Sequence, residues 1–257
     1  MEFATKNLIN TTTMIAVNSN TLASENLFNR DPFYQYVSDN LADDSLTAQI
    51  IIDFGQTTPV SRIGILDTNA KEFKLFYDGV TASTFPIQNA DTAASSWLNF
   101  SSENLFIRFA TLSCRTITLD IKKTQVANQE KLVGLFYIGD LIFDMTRVPS
   151  SKGYKPVIVP MQVVHKMSDG GVRLHNVRKK HQDSISFDYL PADQTEQVKA
   201  LYDYPTSFQF IPFGTATSWN GYMYEAIWDG NFGFYEFSGD AVASGHTGKI
   251  TLKETTG

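Results

Sequence analysis

Apolar and polar positions alternate through residues 48–79, AQIIIDFGQTTPVSRIGILDTNAKEFKLFYDG. Ile50, Ile52 and Phe54 fall on one side of an extended chain, with Ile51 and Asp53 on the other, which predicts a strand. Gly55 and Pro59 interrupt the run before residues 63–66 resume it, so the pattern reads as two strands joined by a turn. A third strand follows, with Phe73, Leu75 and Tyr77 on one face, Glu72, Lys74 and Phe76 on the other, and Asp78-Gly79 as the next turn. Strands that each bury one face need a second layer, and the flanking segments are expected to supply it as a β-sandwich.

The same period recurs at Leu105, Ile107 and Phe109, and most cleanly at Ile117, Leu119 and Ile121. Cys114 is placed in a turn between these two runs. Residues 5–30 are rich in Asn, Thr and Ser and suit loops with an edge strand. Residues 26–36, NLFNRDPFYQY, make a turn followed by an aromatic cluster. It reads either as a platform for a sugar ring, or as Leu27, Phe28 and Tyr36 plugging the end of the sandwich.

Residues 145–156, MTRVPSSKGYKP, have linker composition, and two domains are expected, 1–148 and 149–257. The second opens on Val157, Val159, Met161 and Val163, with a turn at 168–171. The run that follows is basic in its middle, at Arg173, Arg178, Lys179 and Lys180, beside His181. It reads as a solvated hairpin tip projecting beyond the core, or as a contact for an acidic partner. Asp193 and Glu196 fit a capping box that starts a short helix, with Val198, Leu201 and Tyr202 as its apolar stripe. Strands return near 207–213, 222–228 and 232–237, the last two joined as a hairpin by Asp229-Gly230-Asn231, and 249–255 closes the chain.

The expected class is therefore mainly β: a jelly-roll β-sandwich, then a β-sandwich or tail-tube-like domain with one short flanking helix. The composition, 42% hydrophobic and 19% charged, supplies enough apolar material for real cores. A net charge of −6 argues against nucleic-acid recognition, which needs a positive field. One cysteine excludes an intrachain disulfide. No segment reads as a leader or a membrane span, so folding in a cytoplasm without membrane insertion is expected.

Candidate chemistry is sparse. The four histidines have no zinc-site spacing and the lone cysteine has no histidine in its half to activate it. No glycine-rich loop opens a helix, so no phosphate cradle is expected. Asp43, Asp44 and Asp53 could help hold a calcium, but their spacing is not diagnostic. No cofactor, no metal and no enzymatic activity are expected. Phe33, Tyr34 and Trp97 are the candidate carbohydrate-binding residues, by stacking. Arg173, Arg178, Lys179, Lys180 and His181 are the candidate subunit-contact residues.

Two resemblances add to this. The order NLFNRD, IIIDFG, VSRIGI, KEFKLFYDG, LFIRF and IGDL resembles a discoidin-like, galactose-binding-like domain over residues 5–145, with Tyr36 where members often bury a Trp and without the usual terminal cysteine pair. The order SFQFIPFG, WNG, YEAIW and FYEFS is similar to the minor tail proteins of long-tailed bacteriophages, of the distal-tail or tube-tip type, over residues 154–257. That second resemblance implies a structural protein of a tail tip or baseplate, forming a homo-oligomeric ring, hexamer or trimer, that continues the tail tube. It implies the tube protein and tail hub as partners, and a virion location after assembly in the host cytoplasm. The alternative is a carbohydrate-binding protein whose N-terminal domain recognises a host-surface glycan.

Overall fold

The computed structural model describes residues 1–29, 34–78, 87–89, 97–145, 154–167, 171–212, 218–219, 223–238 and 244–255. The fold is mainly β, of a multi-sheet sandwich type, with one α-helix and one 3₁₀ segment among the described residues. The chain divides into two compact units. One holds residues 2–142 and 211–223; the other holds Met1 and residues 143–210 and 224–256.

The first unit is built on two long strands, Ala48–Leu66 and Leu105–Thr124, paired antiparallel over most of their length. Leu135–Gly139 borders the first, and Ala70–Tyr77 borders the second, followed by the parallel strand Ile87–Asn89. Met14–Val17 pairs with the near end of Ala48–Leu66, Leu98–Asn99 with Ala70–Tyr77, and Ser218–Trp219 with Leu105–Thr124. The predicted alternation is what gets buried: Ile50, Ile52, Ile117, Leu119, Ile121, Phe73, Leu75 and Tyr77 join one hydrophobic cluster with Leu27 and Tyr36. Tyr36–Val37 and Leu132–Val133 form a separate two-stranded sheet against that core.

Three details differ from the expectation. Gly55 and Pro59 do not end a strand, because the partner strand runs on beside them. The irregularity is absorbed by register shifts between Asp53 and Thr58 and between Val60 and Arg62. Gly55 takes φ +74° there, and its N–H donates to Asp53 Oδ1 at 2.7 Å. Cys114 is likewise not in a turn; it is buried inside the continuous strand Leu105–Thr124. Finally, Ile211 and Met223 pack with Ala4, Phe106 and Tyr137 in the first unit. A Cβ on Gly64 would meet the Met223 methyl, the far end of a flexible side chain that would have to shift.

In the second unit the strands run in the order Phe208–Ile211, Tyr224–Trp228, Ser244–Glu254, Val172–Pro191, Tyr154–Lys155. The helix Ala192–Tyr202 buries Thr195, Val198 and Leu201, and Tyr202 meets Trp228 edge-on at 5.3 Å. Its start is not the capping box expected from Asp193 and Glu196. Asp193 lies inside the first turn, the N-cap position is Pro191, and no side chain caps it. The Thr195 hydroxyl donates to the Pro191 carbonyl at 3.0 Å instead. The strands on either side of Asp229-Gly230-Asn231 are not hairpin partners. Both pair with Ser244–Glu254, one after the other along it, Trp228 opposite Leu252 and Gly233 opposite Lys249.

Candidate functional site

The three central strands of the first unit set side chains in rows across the sheet. Gln49 pairs with Asp120, and Asp120 with Lys74; one row on, Ile51 pairs with Thr118 and Thr118 with Phe76. Side chains alternate along a strand, so the burial of Ile50, Leu119 and Leu75 sends Gln49, Asp120, Lys74 and Phe76 to the opposite, outer face. Trp97 immediately precedes Leu98–Asn99, whose pairing with Phe73 and Glu72 fixes it at the edge of that face. There the Lys74 ammonium lies 4.5 Å and the Lys122 ammonium 5.4 Å from the centre of the indole.

The neighbouring charges are already engaged. Gln49 Nε2 donates to Asp120 Oδ1 at 2.9 Å, and Lys123 Nζ donates to Glu72 Oε1 at 2.5 Å. Burial raises the Asp120 carboxyl above the usual range; the Gln49 bond and the Lys74 charge pull it down without cancelling that effect. Lys74 and Lys122 are held by the ring. A cation over a ring at an exposed site is worth about 0.5–1 kcal/mol, less than the ~1.5–3 kcal/mol of a hydrogen bond to a charged group. A ligand acceptor would therefore win these ammoniums from the indole.

The other candidate aromatics sit elsewhere. Tyr34 is 55% exposed and leads into Tyr36–Val37, on the two-stranded sheet, so it is anchored on a different sheet from Trp97. Tyr36 is fully buried, with its hydroxyl donating to the Ser19 carbonyl at 3.0 Å, and Leu27 is buried beside it in the cluster. Phe33 lies outside the described residues.

The basic residues lie along one strand of an antiparallel ribbon. Arg173, Arg178, Lys179, Lys180 and His181 are paired along a two-stranded ribbon, opposite His165, Met161, Pro160, Val159 and Ile158 in that order. The chain reverses beyond them, where the Met167 N–H donates to the Gly171 carbonyl. The His181 ring stacks on Tyr224 at 4.9 Å, and the His181 backbone N–H donates to Glu254 Oε2 at 2.7 Å.

The three aspartates considered for calcium do not converge on one point. Asp53 is on the outer sheet face, taking two hydrogen bonds from Arg115 at 2.9 and 3.0 Å, which hold its carboxyl below the usual range. The carbonyl of Asp43 accepts from the buried Lys131 ammonium at 2.9 Å, and the carbonyl of Leu41 accepts from it too. A side-chain cation thus fills that loop. Among the described residues no group of three or more His, Cys, Asp or Glu could hold a metal, and no helix is long and apolar enough to cross a membrane.

Sequence reasoning singled out Trp97 but missed Lys122, Asp120 and Gln49. Their outward positions were readable in the alternation; their convergence depends on strand register, which the sequence does not display.

No family model matches the chain, and no curated protein matches it. Among solved structures, CpGH89CBM32-6 produced by Clostridium perfringens aligns at 15% identity over 52% of this chain and 99% of its own, with a TM-score of 0.38. Chitosan-binding module 1 of a chitosanase/glucanase from Paenibacillus sp. IK-5 aligns at 12% identity over 52% and 98%, with a TM-score of 0.38. A Ruminococcus gnavus GH29 fucosidase aligns at 11% identity over 53% of this chain and 27% of its own, with a TM-score of 0.39. These are carbohydrate-binding modules and a glycosidase rather than phage tail proteins, and they correct the tail resemblance. With it fall the hexameric or trimeric ring, the tube protein and tail hub as partners, and the virion location. The subunit-contact role of Arg173, Arg178, Lys179, Lys180 and His181 rested on that ring and loses its basis.

Proposed function

We propose that the chain is a glycan-binding protein, that its first unit is a jelly-roll binding domain, and that the outer sheet face around Trp97 is where the sugar docks. The observation that carries this is the indole of Trp97 beside Lys74 and Lys122, one strand away from the bonded pair of Asp120 and Gln49. A pyranose presents C–H groups that stack on an aromatic ring and hydroxyls that need both donors and acceptors. Ammonium groups donate, while the carboxylate accepts and the amide does both. The set binds and orients; the reading includes no turnover, no nucleic acid and no metal. The second unit is read as a separate domain that does not touch the sugar.

Titration of wild type and Trp97→Ala against a panel of bacterial and plant polysaccharides tests this, with circular dichroism to verify the fold of the variant. Saturable binding that weakens at least ~tenfold, about 1.4 kcal/mol, in the variant is expected. Binding to no member of the panel, or binding that ignores the Trp97 substitution, would refute it.

A further inference from the structure

The charges around Trp97 are not balanced one for one. Lys123 has Glu72 at 2.5 Å, and further along the face Arg115 has Asp53. Asp120 is bonded to Gln49 and lies across from Lys74, so it offsets part of one ammonium. Among the described residues Lys122 has the indole face and no carboxylate partner. A ring quadrupole attracts a cation but carries no net charge. Two ammoniums therefore meet one uncharged ring, with the Asp120 carboxylate across from only one of them. Stacking a neutral sugar uses the indole and hydroxyl partners; it does not call for two ammoniums at one ring.

We propose that the glycan bound here is anionic, carrying a carboxylate or sulfate group that Lys74 and Lys122 hold while its ring stacks on Trp97. This rests on the glycan reading above and adds the chemical class of the ligand. Each ammonium leaves the ring to donate to an anionic oxygen, a charge-assisted bond that is stronger than the contact it replaces.

The test is a titration of the full chain with polygalacturonate, chondroitin sulfate and a neutral galactan, at low salt and at about 0.3 M salt. It uses wild type, Trp97→Ala, the Lys74→Met/Lys122→Met double variant, which keeps the apolar stems against the indole, and the corresponding double arginine variant. At least one anionic polymer should bind about tenfold or more tighter than galactan, weaken with salt, and lose that advantage in the methionine variant but keep it in the arginine variant. Comparison of the two anionic polymers assigns the group as carboxylate or sulfate. Galactan bound as tightly as the anions, lost in Trp97→Ala and unaffected by the methionine pair, would overturn the anionic inference and leave the glycan reading standing. Absence of Trp97-dependent binding to any polymer would remove both.

Discussion

Arg62 closes two hydrogen bonds onto the carboxylate of Glu2, Nε to Oε2 at 2.8 Å and Nη2 to Oε1 at 3.1 Å, and both side chains are buried. Arg108 pairs with the same carboxylate, and Arg62 Nη1 also donates to the Ser61 carbonyl at 2.8 Å. The pair ties the N-terminal strand Glu2–Thr5 to the long strand Ala48–Leu66 inside the first unit. A buried ion pair adds little over a well-packed apolar pair, but removing one partner strands the other charge. Glu2→Gln leaves the buried Arg62 without its carboxylate and is expected to lower unfolding stability by about 3–5 kcal/mol in urea titration; Arg62→Met, which leaves Glu2 paired with Arg108, should cost less, and the double variant less than the sum of the singles. Additive losses would mean that the two side chains act separately.

Lys131 gives a second prediction of the same kind. Its ammonium is the donor for the carbonyls of Leu41 and Asp43, in a loop where Asn40 holds φ 59°. The loop is further fixed by Asp44, whose N–H donates to Asn128 Oδ1 at 3.3 Å. Methionine keeps the stem and removes the donor, so Lys131→Met leaves two carbonyls unsatisfied and should cost about 3 kcal/mol. Amide hydrogen exchange should rise first in residues 39–46; protection unchanged there would show that the ammonium does not hold the loop.

The inner face of the sandwich was legible because burial follows a period of two: Ile50 and Ile52, Leu75 and Tyr77, and Ile117, Leu119 and Ile121 announce it. What was lost is what depends on partners distant in the chain. Gly55 and Pro59 look like a turn locally, and only the partner strand alongside carries the backbone through them. Residues 173–181 read as a charge run, and nothing local shows that Ile158–Lys166 is the strand they pair with. Glu2 and Arg62 lie 60 positions apart, and Lys131 about 90 from the carbonyls it caps; neither leaves a local pattern. At the candidate site, Trp97 stood out as a large aromatic, whereas Lys122 was one polar position among many. The tail resemblance rested on the order of short motifs, which constrains neither register nor contacts.

Cys114 offers a probe of the core. It is 1% exposed, and burial, with Asp78 adding negative charge nearby, pushes its thiol up to about 12 from 9.0. The native protein should resist iodoacetamide at about pH 8 and take up one equivalent once unfolded. A thiol whose folded value is raised contributes stability that is whole below the unfolded value and fades as pH climbs from 9.0 towards about 12. Cys114→Ala should therefore trail wild type by about 1 kcal/mol at pH 8, with the gap narrowing above pH 9. A gap that widens with pH would contradict the buried, protonated thiol.

Asp120 connects stability to the site. Its folded carboxyl value is raised, chiefly by burial, so its contribution is whole below the unfolded value of 3.8 and is lost as pH rises through the higher folded value. At neutral pH the ionised group is then a net cost, limited to less than ~1 kcal/mol because the side chain is only half-buried and water screens it. Asp120→Asn keeps an oxygen for the Gln49 amide and removes the charge. The variant should melt slightly higher than wild type at pH 7, with the difference shrinking as pH falls towards 3.8. It also takes away the carboxylate opposite Lys74, so an anionic polymer should bind the variant more tightly than wild type, while a neutral one should not distinguish them. A variant that melts lower at pH 7 and binds the anion more weakly would show that the charge of Asp120 holds Lys74 in place rather than competing with the ligand for it.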